Sequence, residues 1–204
     1  MSLVEINIPS PKQLRGGWAA LAAVYTARGW GADVYATQEQ WLYHDGGGNW
    51  VCLRFKSKDQ CILIGHDHEY SETYYGEAAE YFNEEETNIL GGAPDWWAFD
   101  LSPLPFGEWI GFVYGWDGTK WQRANYSKND GYEDIGLINA CSINNTTLLS
   151  EFASDAPGLN GNPPPAEALA ALVAADGKIT HALLEAVVPG WDIDAGIAAA
   201  RKFT

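Results

Sequence analysis

The chain has 204 residues, 47% of them hydrophobic, and a formal net charge of −15 at neutral pH. That length buries a sizeable core in a single domain, and ten Trp with ten Tyr exclude a disordered acidic chain. A pI near 4.4 with no cluster of Lys or Arg excludes phosphate-driven binding of nucleic acid and disfavours an anionic membrane surface.

Ser10-Pro11 is a helix start, an N-cap side chain followed by Pro at the first helical position. It predicts a helix over 11–28, with Leu14, Trp18, Leu21, Ala22 and Tyr25 at helical spacing and Gly29 as the stop. The period then changes. Trp41 to His44 and Trp50 to Phe55 flank Asp45-Gly46-Gly47-Gly48, and a turn at Ser57-Lys58-Asp59 leads into Cys61 to Gly65. These segments predict an antiparallel meander. A central helix follows from about Ser71 to Phe82, extending toward Leu90 before Gly91-Gly92-Ala93-Pro94 stops it. A Pro- and Trp-rich loop runs from Asp95 to Gly107. Trp109 to Gln122 reads as a hairpin with Asp117-Gly118 in a two-residue turn, pairing Tyr114 with Trp121 and Phe112 with Arg123. Ile135 to Cys141 reads as one more strand and Thr146 to Phe152 as a short helix.

Asn160 to Pro165 is the best linker in the chain, and three Ala-rich helices are predicted after it, near 166–175, 178–188 and 192–202. The expected fold class is α+β: a mainly antiparallel sheet of hairpins packed with an N-terminal and a central helix, plus the C-terminal helical cluster. The expected organisation is an α+β domain over 1–156, with the linker and helices of 157–204 packed on it as an appendage. No apolar run approaches the length of a transmembrane helix, and the N-terminus lacks the charged and apolar regions of a signal peptide. Cys52, Cys61 and Cys141 make an odd count without a CxxC pair, which suits reduced thiols in a cytoplasmic protein.

Charge is distributed unevenly. From Asp59 to Thr119, 61 residues contain no Lys and no Arg but 13 of the 27 acids. A charge so localised predicts a negative field on one side of the fold. Its expected centre is the helix after Tyr70, carrying Glu72, Glu77, Glu80, Glu84, Glu85 and Glu86. Trp96 and Trp97, in the adjoining loop, are the candidate aromatic anchors for a partner.

The densest polar cluster is His66-Asp67-His68-Glu69. In a continuing strand His66 and His68 would share one face, an arrangement that presents two imidazoles to one divalent metal. Glu72 is the nearest third ligand, with Glu77, Glu80, His44 and His181 more remote. Named motifs fail: Glu72 stands where an HExxH protease needs its second His, and no Asp-His completes an HxHxDH. Asp176-Gly177-Lys178-Ile179 is similar to half of an EF-hand loop, but Leu183 occupies the position of the bidentate Glu. No GxSxG elbow and no SxxK is present, so no catalytic residue is assigned.

A small, acidic, Trp-rich chain of this kind is similar in composition to bacterial immunity proteins, a similarity that rests on no motif and transfers no residue. The leading expectation is a non-catalytic binding protein, immunity- or inhibitor-like, whose acidic surface meets a basic protein partner. The alternatives are a metal-dependent hydrolase built on His66 and His68, and a carbohydrate-binding or carbohydrate-active module using exposed Trp.

Overall fold

The computed structural model describes residues 2–102, 109–133 and 146–204. Seven strands form one antiparallel sheet in the order β1-β7-β6-β5-β4-β3-β2. They are β1 (Leu3–Ile6), β2 (Val34–Ala36), β3 (Gln40–His44), β4 (Trp50–Phe55), β5 (Cys61–His66), β6 (Phe112–Trp116) and β7 (Trp121–Ala124). Six α-helices accompany them among the described residues: α1 (Pro11–Arg28), α2 (Glu77–Phe82), α3 (Thr147–Ala153), α4 (Ala166–Ala174), α5 (His181–Glu185) and α6 (Ile193–Ala200). The α+β class and the C-terminal short helices are as the sequence predicts. The strand expected over Ile135 to Cys141 lies outside the described residues. No described helix is long and apolar enough to cross a membrane.

The chain divides into two compact units, Met1–Ser10 with His44–Gly136, and Pro11–Tyr43 with Leu137–Thr204. Helix α1 thus groups with the C-terminal helices.

In the first unit, β5 is the middle strand of the sheet and is buried along its whole length. Its apolar run, Cys61-Ile62-Leu63-Ile64, suits a strand covered on both faces. It pairs with β4 from Phe55↔Cys61 to Trp50↔His66, and with β6 from Cys61↔Trp116 to Gly65↔Phe112. The β6–β7 hairpin departs from the predicted register. Tyr114 faces Arg123 and Trp116 faces Trp121, a shift of two residues that puts Gly118 and Thr119 at the turn, where the Asp117 amide donates to the Lys120 carbonyl at 3.3 Å. Asp117 explains the shift: its Oδ1 accepts the Thr119 amide at 2.9 Å and the Lys120 amide at 3.0 Å. Those bonds fix the turn on Gly118, at φ 98°, as its first central residue rather than on an Asp117-Gly118 pair. The indoles of Trp116 and Trp121 meet across the strands at 5.5 Å between ring centres. Strand β1 adds to the outer side of β7, with Leu3 opposite Ala124.

The central helix is shorter than predicted. Ser71 to Tyr75 is non-helical because tertiary partners hold its backbone. The Glu72 amide donates to the Asn129 carbonyl at 2.7 Å, and Thr73 Oγ1 donates to the Gly111 carbonyl at 2.6 Å. Helix α2 begins only after Gly76, at φ 58°, and ends at Asn83, at φ 54°. There the Glu84 amide returns to the Ala79 carbonyl at 3.0 Å, closing the helix with a left-handed cap.

In the second unit, α1 is buried nearly all round rather than along one stripe. Its small residues let other helices close on it. A Cβ at Gly16 would lie 2.4 Å from the Val173 carbonyl oxygen of α4, and one at Gly196 of α6 would lie 2.6 Å from the Ala23 carbonyl oxygen. Arg15 Nε donates to Asp176 Oδ1 at 2.8 Å, and a second short contact joins Nη2 to Oδ2. The bidentate pair accounts for Asp176 structurally and holds its carboxyl below the usual range. On the strand side of this unit, Trp18 Nε1 donates to the Leu42 carbonyl at 3.0 Å, and its ring meets Trp41 edge-on.

Candidate functional site

The His66-to-Glu69 cluster sits where β5 stops, and Asp67 is the reason it stops. Asp67 Oδ1 accepts the amides of Glu69 at 2.9 Å and Tyr70 at 2.7 Å, while the Asp67 amide donates to Ser71 Oγ at 3.2 Å. The strand becomes a turn at once, so the alternation that would have put both imidazoles on one face never develops. His66 points inward and is fully buried; His68 is exposed, with its amide bound to Asn49 Oδ1 at 2.7 Å. Their ring centres are 6.5 Å apart and nearly perpendicular. Glu72 is occupied by the loop beyond β7, its Oε2 accepting the Asn129 amide at 3.1 Å. The described residues bring no three His, Cys, Asp or Glu side chains together as a metal-holding group. Of the remote options, His44 Nδ1 accepts the Gly46 amide at 2.9 Å, and His181 lies on α5 in the other unit.

His66 is nonetheless chemically unusual. Both its ring nitrogens are buried without a hydrogen-bond partner among the described residues, and so is Asp67 Oδ2. Burial, with a smaller contribution from His68, lowers the imidazole pKa from 6.5 to about 4, so His66 is neutral at physiological pH. Its ring lies 3.9 Å from that of Trp109.

From Trp109 an aromatic series leads outward. Tyr74 stacks on Trp109 with ring centres 5.9 Å apart and planes 17° apart. Phe82, the last residue of α2, packs on Trp109 at 4.6 Å and on Tyr74 at 5.6 Å. Tyr81 meets Phe82 edge-on at 4.9 Å. Tyr81 is 83% exposed and Phe82 42%.

The glutamates predicted for this region surround that pair, and all six are exposed: Glu72, Glu77, Glu80, Glu84, Glu85 and Glu86. Two carry structural work. Glu72 is tied to Asn129, and Glu86 Oε1 accepts the Gly76 amide at 3.0 Å, a carboxylate at the start of α2. Among the described residues, the side chains of Glu77, Glu80, Glu84 and Glu85 have no hydrogen-bond or ion-pair partner. Three of the bases that flank the block are engaged elsewhere. Lys56 lies 5.3 Å from the Phe99 ring, Lys120 is 3.5 Å from the Glu5 carboxylate, and Arg123 lies 4.4 Å from the Tyr126 ring. Lys128 does reach the segment, but its Nζ donates to the backbone carbonyl of Glu85, at 3.3 Å.

The proposed aromatic anchors need correction. Trp97 is 2% exposed, and its indole lies so close over Gly115 that a Cβ there would be 2.0 Å from it. It is a core residue. Trp96 is half-buried beside it. The exposed aromatic side chains on α2 are Tyr81 and Phe82, and Tyr70, 53% exposed, stands between Glu69 and Glu72; the α2 pair gave no signal of its own because it stands inside a predicted helix. The signal available was their flanking by Glu77, Glu80 and Glu84 at helical spacing.

Two further features of this unit were not anticipated. Asp130 Oδ2 accepts the hydroxyls of Tyr114 and Tyr126, each at 2.7 Å, and its carbonyl accepts Ser71 Oγ, also at 2.7 Å. Asp130 thus pins the segment after β7 to both β6 and the turn at 67–71. Arg54 is buried and pairs with Asp100 Oδ1 at 2.9 Å. Cys52 and Cys61 are buried thiols in no disulfide, and burial pushes the Cys52 thiol up to about 11, which leaves it protonated and unreactive at neutral pH.

Comparison of the chain with protein-family models, with curated proteins and with solved structures found no match.

Proposed function

We propose that this chain is a non-catalytic cytoplasmic binding protein, immunity- or inhibitor-like, whose acidic surface around α2 receives a basic protein partner. One observation carries the reading. Glu77, Glu80, Glu84 and Glu85 are exposed without a side-chain partner among the described residues, beside the 83% exposed Tyr81. Such unpaired charge is unfavourable for the isolated fold and favourable toward a cationic surface, where it accelerates encounter. An exposed aromatic pair within an acidic rim also matches the anatomy of a protein interface. The buried, protonated thiols of Cys52 and Cys61 suit a reducing compartment.

The test is a pull-down from native lysate with the full chain, compared at low salt and at roughly 0.5 M salt, where surface charge is strongly screened. A basic protein captured at low salt and released at high salt supports the reading. Replacing Glu77, Glu80 and Glu84 together by Gln should abolish that capture. A captured partner insensitive to both salt and the triple substitution would overturn it.

A further inference from the structure

We infer that Tyr81 and Phe82 form a stacking anchor for arginine, so that the partner segment received here carries guanidinium groups rather than lysines alone. This rests on the acidic-surface reading and narrows it to a ligand chemistry. The anchor is prepared from behind. Phe82 is held against Trp109 at 4.6 Å and Tyr74 at 5.6 Å, and Trp109 rests on the buried ring of His66 at 3.9 Å. Tyr81 meets Phe82 nearly perpendicular, with ring centres 4.9 Å apart, and is 83% exposed, so most of its ring is open to solvent. Asn83 ends α2 in the left-handed conformation, so no further helical turn grows over the rings. A supported ring loses little freedom on binding.

The surroundings choose the ligand. Glu77 lies one helical turn before Tyr81, Glu80 is its neighbour, and Glu84 and Glu85 follow the cap. A guanidinium is planar and weakly hydrated, stacks on aromatic faces, and presents a fork of donors that matches a carboxylate. An ammonium is a strongly hydrated point charge that uses the carboxylates but gains less from the ring. This chain places its own arginines on rings in the same way: the Arg28 guanidinium lies 3.8 Å from the centre of Trp30, and that of Arg123 lies 4.4 Å from the centre of Tyr126. A second copy of the chain is the wrong occupant, because the facing surfaces would both be acidic. An uncharged apolar partner would leave the four unpaired glutamates unanswered.

The experiment uses two peptides of equal length and charge, nine arginines and nine lysines, titrated by calorimetry into the full chain at low salt. The expected result is binding of both, with the arginine peptide tighter by at least about twofold, the lower end of a cation–π contribution. Tyr81→Ser should remove that preference while leaving the lysine peptide bound as before. Tyr81→Phe, which keeps the ring, should retain the preference. At 83% exposure Tyr81 has little part in the core, so the variants remain folded. Equal binding of the two peptides, or an arginine preference that survives Tyr81→Ser, overturns the anchor and leaves the acidic-surface reading standing. Failure of both peptides to bind, or binding indifferent to salt, overturns the acidic-surface reading and the anchor with it.

Discussion

His66 is the residue whose environment departs most from its chemistry. An imidazole at 0% exposure, with neither nitrogen hydrogen-bonded among the described residues, tolerates only its neutral form. Its folded-state pKa is lowered to about 4 from 6.5, so the unfolded chain binds more protons than the folded one between those values. Stability from this group is therefore complete above pH 6.5, falls as pH drops toward 4, and changes no further below that. The loss amounts to at most about 3 kcal/mol. Because the many carboxylates titrate nearby, the measurement is a difference: denaturant stability of wild type minus that of His66→Phe, followed from pH 7.5 to 3.5. The difference should be flat above pH 6.5 and turn against wild type below it. A difference independent of pH would mean that His66 is not held neutral. The sequence singled out this histidine for the opposite reason, as a ligand paired with His68. What it could not reveal is that Asp67 turns the chain within one residue, because the turn depends on where the Asp67 carboxylate points.

At the scale of elements, close approach governs the helices. Gly16 and Gly196 lie inside α1 and α6, where alanine would be favoured by about 0.5–1 kcal/mol on intrinsic propensity. The space argues the reverse. A Cβ at Gly16 would sit 2.4 Å from a carbonyl oxygen of α4, and backbone cannot rotate aside as a side chain can. Overpacking of this kind typically costs about 1–3 kcal/mol. Gly16→Ala should therefore lower Tm, by several degrees; an unchanged or raised Tm would show that α4 yields freely. Hydrogen exchange provides a second check. Helix α5 has five residues, and only Leu184 among them is buried, so its amides should exchange before those of β4 and β5. Protection in α5 equal to that in β5 would contradict this. Elements with long apolar runs and glycine turns, β3 to β5, were legible from the sequence. Strands β1 and β2, of four and three residues, were not, since so few positions cannot establish a period. The β6–β7 register and the start of α2 escaped for a shared reason: side chains of Asp117, Glu72 and Thr73 hold the backbone by bonds that no periodicity encodes.

Across the whole chain, charge is the property that sequence alone reports best, because a missing base is missing in every conformation. The block from Asp59 to Thr119 has no Lys or Arg, and the structure leaves Glu77, Glu80, Glu84 and Glu85 exposed without a side-chain partner among the described residues. The aromatic half of the candidate surface was not legible in the same way. Whether Trp97 or Tyr81 faces solvent is decided by tertiary packing, by an indole settling onto Gly115 and a helix ending at Asn83. A fold carrying −15 in this distribution repels itself, and repulsion between exposed carboxylates is relieved by screening. Tm should therefore rise as salt is added from about 10 mM, where the Debye length is about 30 Å, to 0.2 M, where it is below 10 Å. Replacing Glu80 and Glu84 by Gln should raise Tm at low salt and flatten its salt dependence, because part of the repulsion is then already gone. The same substitutions should weaken capture of a basic partner. This opposition separates a surface kept for binding from an ordinary solvated helix end: charges that only solvate the fold would change stability and leave binding untouched. A Tm that falls with salt would mean that attractive pairs such as Arg54–Asp100 and Arg15–Asp176 outweigh the acidic block, and the field assigned to it would be too weak to steer a partner.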